Sequence, residues 1–359
     1  MPPIRPGRDD DGPQLIDLIR TCWSRYPGIV FDVDAEMPEL HALATYYDGA
    51  LWVAEAAGRV VGMIATRPVS KLSPGVVVPG AVPVTVQGEV PDGAQGCWEI
   101  CRVYVHPDLH GGGLGHALLD RAEAHAVAHG ATRLALWSDT RFDRAHRFYE
   151  KRSYVRMGGI RVLHDLSNSL EFAYAKPLNG VERLDAAGAA SAERRLADIL
   201  IACVEAGASV SFLPPLDTGR AAAFWHGIST GVANGRGLLF AGWRNGVLSG
   251  CVGLDLAMPE NQSHRAEVQK LLVHPQARRT GLALALMAQA EQAALAEGRT
   301  LLTLDTQADA AGAALYRHAG WTEAGRIPGF ARDATGRLRD TLIFWKRPAP
   351  AADGRPEGR

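Results

Sequence analysis

The chain has 359 residues, 47% of them hydrophobic and 21% charged, a length and balance that suit two globular domains. Its 38 basic and 39 acidic side chains leave a formal net charge of −1, which with no basic run argues against nucleic acid or an anionic membrane as partner. No apolar run approaches the ~20 residues of a membrane span, the start MPPIRPGRDDDG lacks a secretion signal's apolar core, and Cys22, Cys97, Cys101, Cys203 and Cys251 suit neither a disulfide framework nor a zinc site, so a metal-free cytoplasmic protein is expected.

In chain order, the pattern predicts a short strand at 3–6, a helix at 11–25 and another near 36–47. LWVAEAAGRVVGMIATRP (51–68) reads as a hairpin turning at Ala57-Gly58, and a proline- and valine-rich segment, 71–95, follows. WEICRVYV (98–105) is a predicted strand that feeds a glycine loop and a helix ending at Gly130. A strand at 133–138, a helix at 143–152 and two more strands close the half. The second half repeats this order. It has helices at about 190–206 and 217–234 and a hairpin at 238–254 with a type I′ turn signal at Asn245-Gly246. A strand at 267–273, a helix from Gly281 to Gly298, a strand at 301–306, a helix at 310–319 and a last strand at 341–346 follow. Pro177, Asn179 and Gly180 punctuate the join. The expected organisation is therefore a duplicated α/β domain, each copy a central mixed β-sheet flanked by helices. The copies span 1–178 and 181–347, and a disordered tail spans 348–359.

The two glycine-bearing loops are HPDLHGGGLGHALL from His106 and HPQARRTGLALALM from His274. Strand, loop and helix in this order suit a phosphate, because the first helical N–H groups lack intrahelical partners and glycine lets the backbone approach an anion. Neither loop ends in the Gly-Lys-Ser/Thr of a P-loop, and neither keeps the glycine spacing of a dinucleotide fingerprint. Both share Val-His-Pro-x-x-[His/Arg]-x-x-Gly-Leu-[Gly/Ala]. On these residues the chain resembles the GNAT N-acetyltransferase family, whose phosphate loop has the form [Gln/Arg]-x-x-Gly-x-[Gly/Ala]. Arg278, Arg279, Thr280, Gly281, Leu282 and Ala283 match it fully. His110, Gly111, Gly112, Gly113, Leu114 and Gly115 match except that His110 replaces the Arg or Gln. The resemblance implies that backbone amides of these loops hold the pyrophosphate of acetyl-CoA.

Amine acetylation asks for a base, a polarised thioester carbonyl and a donor for the leaving thiolate. Glu99 and Glu267, each eight residues before the loop proline, are either bases facing the cleft or exposed strand-start glutamates. The backbone N–H groups of Val105 and Val273 could polarise the carbonyl. Tyr149 and Tyr316 occupy the position of the family's general acid, and would otherwise be aromatic rings packed on the core. Phe142 and Asp309 stand where the family often has Asn. Asp305, at a strand end in the second half only, is either an amine contact or a helix-capping residue. His106 and His274 follow the strand ends, exposed and without a metal-site spacing. In the second half, GASVSFLPPLD, LLTLDT and ALYRHAGW look like the tabtoxin-resistance acetyltransferases, in which residues aligning with Glu267, Asp305 and Tyr316 are implicated in catalysis.

The reading is an N-acetyltransferase acting on a primary amine of a small molecule by direct attack on the thioester, in toxin or antibiotic detoxification. Either both halves are active or one is a non-catalytic acyl-CoA-binding or structural half. The chain would be a monomer with pseudo-dimeric halves or a homodimer.

Overall fold

The computed structural model describes residues 1–69 and 96–349. The proline- and valine-rich segment and the tail beyond its first two residues lie outside the described residues. The chain divides into two compact units, Met1–Tyr149 with Arg156–Leu178, and Glu150–Val155 with Asn179 onward.

The first half carries β1 (Ile4–Pro6), α1 (Gly12–Trp23), α2 (Val33–Glu36), α3 (Leu43–Tyr46), β2 (Leu51–Ala56), β3 (Arg59–Pro68), β4 (Cys97–Val105), α4 (Leu114–Ala128), β5 (Arg133–Asp139), α5 (Asp143–Lys151), β6 (Val155–Val162) and β7 (Leu170–Pro177). The second carries β8 (Gly180–Leu184), α6 (Ala186–Glu205), α7 (Thr218–Ala233), β9 (Gly237–Arg244), β10 (Val247–Asp255), β11 (Arg265–Val273), α8 (Leu282–Ala296), β12 (Leu301–Gln307), α9 (Ala311–His318), β13 (Thr322–Arg332) and β14 (Leu338–Lys346). Among the described residues each half builds a seven-stranded sheet of one topology, β1-β2-β3-β4-β5-β7-β6 and β8-β9-β10-β11-β12-β14-β13. The pairs β4·β5 and β11·β12 are parallel.

Burial follows the periodicity. α1 buries Leu15, Leu18 and Ile19, at i, i+3 and i+4. α8 buries Leu282, Leu286, Met287, Ala290 and Ala294, in one core with Ala266, Val268, Leu302 and Leu304 of the sheet. The helix expected near 36–47 is instead α2, a 3₁₀ turn at Pro38–Ala42 and α3. Pro38 cannot supply the N–H that would continue α2, and it restricts Met37 before it. Two strands go beyond the sequence expectation. β8 begins two residues after the end of the first half. β13 is exposed along nearly its whole length, so no alternation announces it, and its Pro328 is tolerated at a sheet edge. Among the described residues no helix is long and apolar enough to cross a membrane.

Candidate active site

Both central strands are kinked at the same place. Met63 pairs with Tyr104 but Ala65 with Cys101, and Cys251 pairs with Leu272 but Gly253 with Gln269. Each central strand therefore holds one extra residue, a β-bulge. Arg102 and Lys270 mark it, each at φ +53°. Parallel pairing ends just before the bulge, at Glu99↔Ala135 and Glu267↔Thr303. Beyond these residues the two central strands of each half part, and a wedge opens at their C-terminal ends. Both glutamates stand at its apex.

The loops after β4 and β11 are built alike. His106 and His274 accept hydrogen bonds at Nδ1 from the N–H groups of Asp108 (3.4 Å) and Gln276 (3.3 Å), capping the turns that follow. His110 Nε2 donates to the Val105 carbonyl at 3.0 Å, and Arg278 Nε donates to the Val273 carbonyl at 3.4 Å. The Cys22 and Cys203 thiols reach the same two carbonyls, at 3.5 and 3.4 Å. His110 thus does the backbone-tethering work of Arg278 with a shorter side chain. Burial, then the nearby Arg144, hold its pKa below the ordinary histidine value. Arg244 of β9 steadies the second loop by donating to the Thr280 carbonyl at 2.6 Å.

Each loop needs two left-handed residues, Gly111 (+86°) and Gly113 (+84°) in one copy, Arg279 (+62°) and Gly281 (+81°) in the other. Gly113 and Gly281 are the N-caps of α4 and α8, and among the described residues no side chain caps either helix. A Cβ at Gly111 or Gly113 would meet nothing within 4 Å. A Cβ on Gly281 would meet only the Arg244 guanidinium, at 3.8 Å, and among the described residues the uncapped N–H groups and the positive helix end suit a phosphate-bearing ligand at both loops.

The acid–base residues differ between the halves. Glu99 is nearly enclosed and ion-paired with Arg67 Nε at 2.7 Å, and Arg67 also donates to the Tyr46 hydroxyl. Glu267 is 46% exposed, and Arg265 lies 3.6 Å away while donating to Thr303 Oγ1. Asp305 is exposed on β12 and accepts from Thr341 Oγ1 at 3.2 Å. Its register in the first half belongs to Trp137, with the Arg161 guanidinium 4.6 Å from the ring centroid. The nearby Asp139 is buried and held by Arg141 at its backbone and side chain. Tyr149 and Tyr316 are both buried. Burial and then the negative Asp305 push the Tyr316 phenol up to about 12, and burial pushes Tyr149 up as well. In the second half the negative Asp305 lies within electrostatic reach of Tyr316 and, together with Glu267, of Lys270.

On the side of the sheet away from α8, a cavity of about 300 Å³ lies between α7 and the strands, lined by Trp225, Gly231, Asn234, Asp255, Gln269 and Lys270 among others. Glu267 is on this face, since Ala266 and Val268 point to the α8 core and side chains alternate along a strand. Lys270, Arg244, Arg67 and the two tethering cysteines were not singled out in the sequence. Arg and Lys carry no sequence sign of the positive φ that marks the bulge. Among the described residues no group of three His, Cys, Asp or Glu could hold a metal ion.

Two splayed sheets, each with an open, uncapped helix N-terminus beside its wedge, define a duplicated α/β domain suited to a phosphate-bearing substrate. The chain belongs to the acetyltransferase (GNAT) family, whose model matches residues 13–154 and 209–321, more than half of the chain, and it is an N-acetyltransferase. Similar solved structures include an N-acetyltransferase from Staphylococcus aureus Mu50 (16% identity, 48% of this chain and 99% of that one, TM-score 0.41). A ribosomal-protein-alanine N-acetyltransferase from Brucella melitensis is 20% identical over 46% of this chain and 98% of its own (TM-score 0.41). A phosphinothricin acetyltransferase from Sinorhizobium meliloti in complex with AcCoA is 18% identical over 50% of this chain and 95% of its own (TM-score 0.41).

Proposed function

We propose that the protein transfers the acetyl group of acetyl-CoA to a primary amine of a small molecule, and that turnover resides in the carboxy-terminal half. The observation that carries this reading is the difference between the glutamates. Glu267 is 46% exposed with Arg265 3.6 Å away, whereas Glu99 is 12% exposed and paired with Arg67 at 2.7 Å. The acetyltransferase domains run over 1–178 and 181–347, and the enzyme works in the cytoplasm.

Acetyl-CoA supplies the thioester, and its pyrophosphate rests on the N–H groups of residues 278–283, with residues 110–115 forming the matching loop of the first half. Asp305 holds the incoming ammonium. Glu267, directly or through a water, takes its proton, and the free amine attacks the carbonyl carbon. The Val273 N–H polarises that carbonyl, the C–S bond breaks, a proton of the attacking nitrogen passes to the departing sulfur to give the amide and the free thiol, and no covalent enzyme intermediate forms. A phenol near pKa 12 is a poor outright proton donor to an alkyl thiolate, since even a cysteine thiol titrates near about 8.5. Tyr316 therefore acts first as a hydrogen-bond donor to the departing sulfur. The resemblance of the second half to tabtoxin-resistance enzymes supports a detoxifying role.

A second reading keeps both halves active, with Glu99, Tyr149 and the Val105 N–H in the corresponding roles. The recurrence of bulge, loop and tyrosine favours it. One experiment separates the two: thiol release from acetyl-CoA across an amine library, with Tyr149→Phe and Tyr316→Phe beside the wild type. The proposal expects Tyr316→Phe to lose about 100-fold in kcat with KM little changed, and Tyr149→Phe to lose almost nothing. Equal losses would place turnover in both halves.

A further inference from the structure

Lys270 stands where the bulge lifts it out of the regular alternation of β11. Its φ of +53° is a left-handed value that only local constraint keeps in a lysine. The half-buried side chain lines the cavity beside Gln269 and Asp255. Its Nζ meets Ser211 Oγ at 3.2 Å and lies 5.4 Å from the centroid of the Phe224 ring. Ser211 is itself held at φ +72°, so both members of this pair occupy strained backbone. Among the described residues no carboxylate lies within ion-pair distance of Lys270. The matching Arg102 of the first half, by contrast, is ion-paired with Glu39. Burial lowers the pKa of Lys270, and the negative charges of Asp305 and then Glu267 oppose that, which puts the ammonium within electrostatic reach of both proposed amine-side acids.

We propose that Lys270, with the Ser211 hydroxyl, is the subsite for a carboxylate of the acceptor, so that the substrate is a zwitterion such as an amino acid or a short peptide. The inference rests on the reading that Asp305 and Glu267 receive the amine. Glu267 and Asp305 lie beside the cavity rather than in its lining, yet their charges reach the ammonium of Lys270, and acids next to a cation complement a molecule that carries both an ammonium and an anion. A carboxylate fits better than a phosphate, because one ammonium and one hydroxyl match a monoanion and a dianion would be repelled by the two flanking acids.

The test uses the full-length enzyme, acetyl-CoA and matched acceptors: α-amino acids and dipeptides, each beside its C-terminal amide. Wild type should prefer the free carboxylate. Lys270→Met should raise KM for the carboxylate forms about tenfold or more, the usual size of a lost hydrogen bond to a charged group. KM for the amides should stay within about twofold, kcat should hold, and Lys270→Arg should restore part of the loss. Ser211→Ala, a milder change, should move KM the same way if Lys270→Met does not fold. An equal preference of wild type for acid and amide would overturn the subsite. So would a fall in kcat on both acceptor series alike, which marks a structural role. Absence of thiol release with every amine would instead overturn the acetyl-transfer reading on which the subsite stands.

Discussion

At residue 279 the second loop holds an arginine in a conformation that the first loop gives to Gly111. A left-handed conformation costs an L-residue about 1–2 kcal/mol, so Gly111 relieves in the first copy the strain that Arg279 carries in the second. The two loops share a backbone and differ in how they meet its demands. Arg279→Gly should leave stability unchanged or raise it by up to about 1 kcal/mol, since the relief is partly offset by the greater freedom of glycine in the unfolded chain. Gly111→Ala should lower it by about 1 kcal/mol. Urea unfolding measures both, and a Gly111→Ala protein as stable as the wild type would show that the loop relaxes. Tyr316→Phe belongs to the same scale. The ring keeps its packing on Trp321 and Phe344, so a loss of turnover in that variant reports the hydroxyl alone.

Among the elements, the contact that aims α8 at the wedge is made by glycines. A Cβ on Gly250 would lie 2.8 Å from the Leu272 carbonyl and 3.2 Å from Leu286, and one on Gly242 would lie 2.7 Å from Leu282. In the first half a Cβ on Gly62 would lie 3.0 Å from Leu118 of α4. Gly62 and Gly250 pair with the strand-end residues Val105 and Val273, so both helices are seated over the same register position. Gly250→Ala should cost about 1–3 kcal/mol by overpacking and should raise KM for acetyl-CoA by moving the N-terminus of α8; thermal unfolding and saturation kinetics check the two effects. Elements with a period of 2 or 3.6 were legible in the sequence, as the 51–68 hairpin and α8 show. β13 was not, because an exposed edge has no alternation, and neither was the break at Pro38, which interrupts an otherwise helical pattern. Of the site, the loops could be read because backbone chemistry needs glycine. The wedge could not, because its bulge is formed by Arg102 and Lys270, residue types that carry no sign of positive φ. Nor could the partners of Glu99, since Arg67 lies on the neighbouring strand and only the register brings the two together.

For the molecule as a whole, the two halves share a topology but differ in their buried acids. Burial raises the phenols of Tyr47, Tyr104 and Tyr149 in the first half and of Tyr316 in the second; Tyr104 and Tyr316 are each pushed up to about 12. Raised thiols occur in both halves, Cys22 and Cys101 in one and Cys203 and Cys251 in the other. An unfolded tyrosine loses its proton near pH 10, whereas these folded ones keep theirs. The unfolded chain then binds fewer protons than the native one, and stability falls as pH rises. The stabilisation from each phenol is complete below pH ~10 and is lost as the pH climbs through its folded value. With more raised phenols among its described residues, the first half should lose stability more steeply than the second between pH ~10 and ~12. Proteolysis in graded urea with the cut peptides mapped to each half, at pH 8 and pH 11, measures this directly. Tyr47→Phe should flatten the alkaline loss of the first half and leave the second unmoved, because the phenylalanine ring keeps the packing but has no proton to release. Parallel loss in both halves would mean that the thiols, not the phenols, set the alkaline limit.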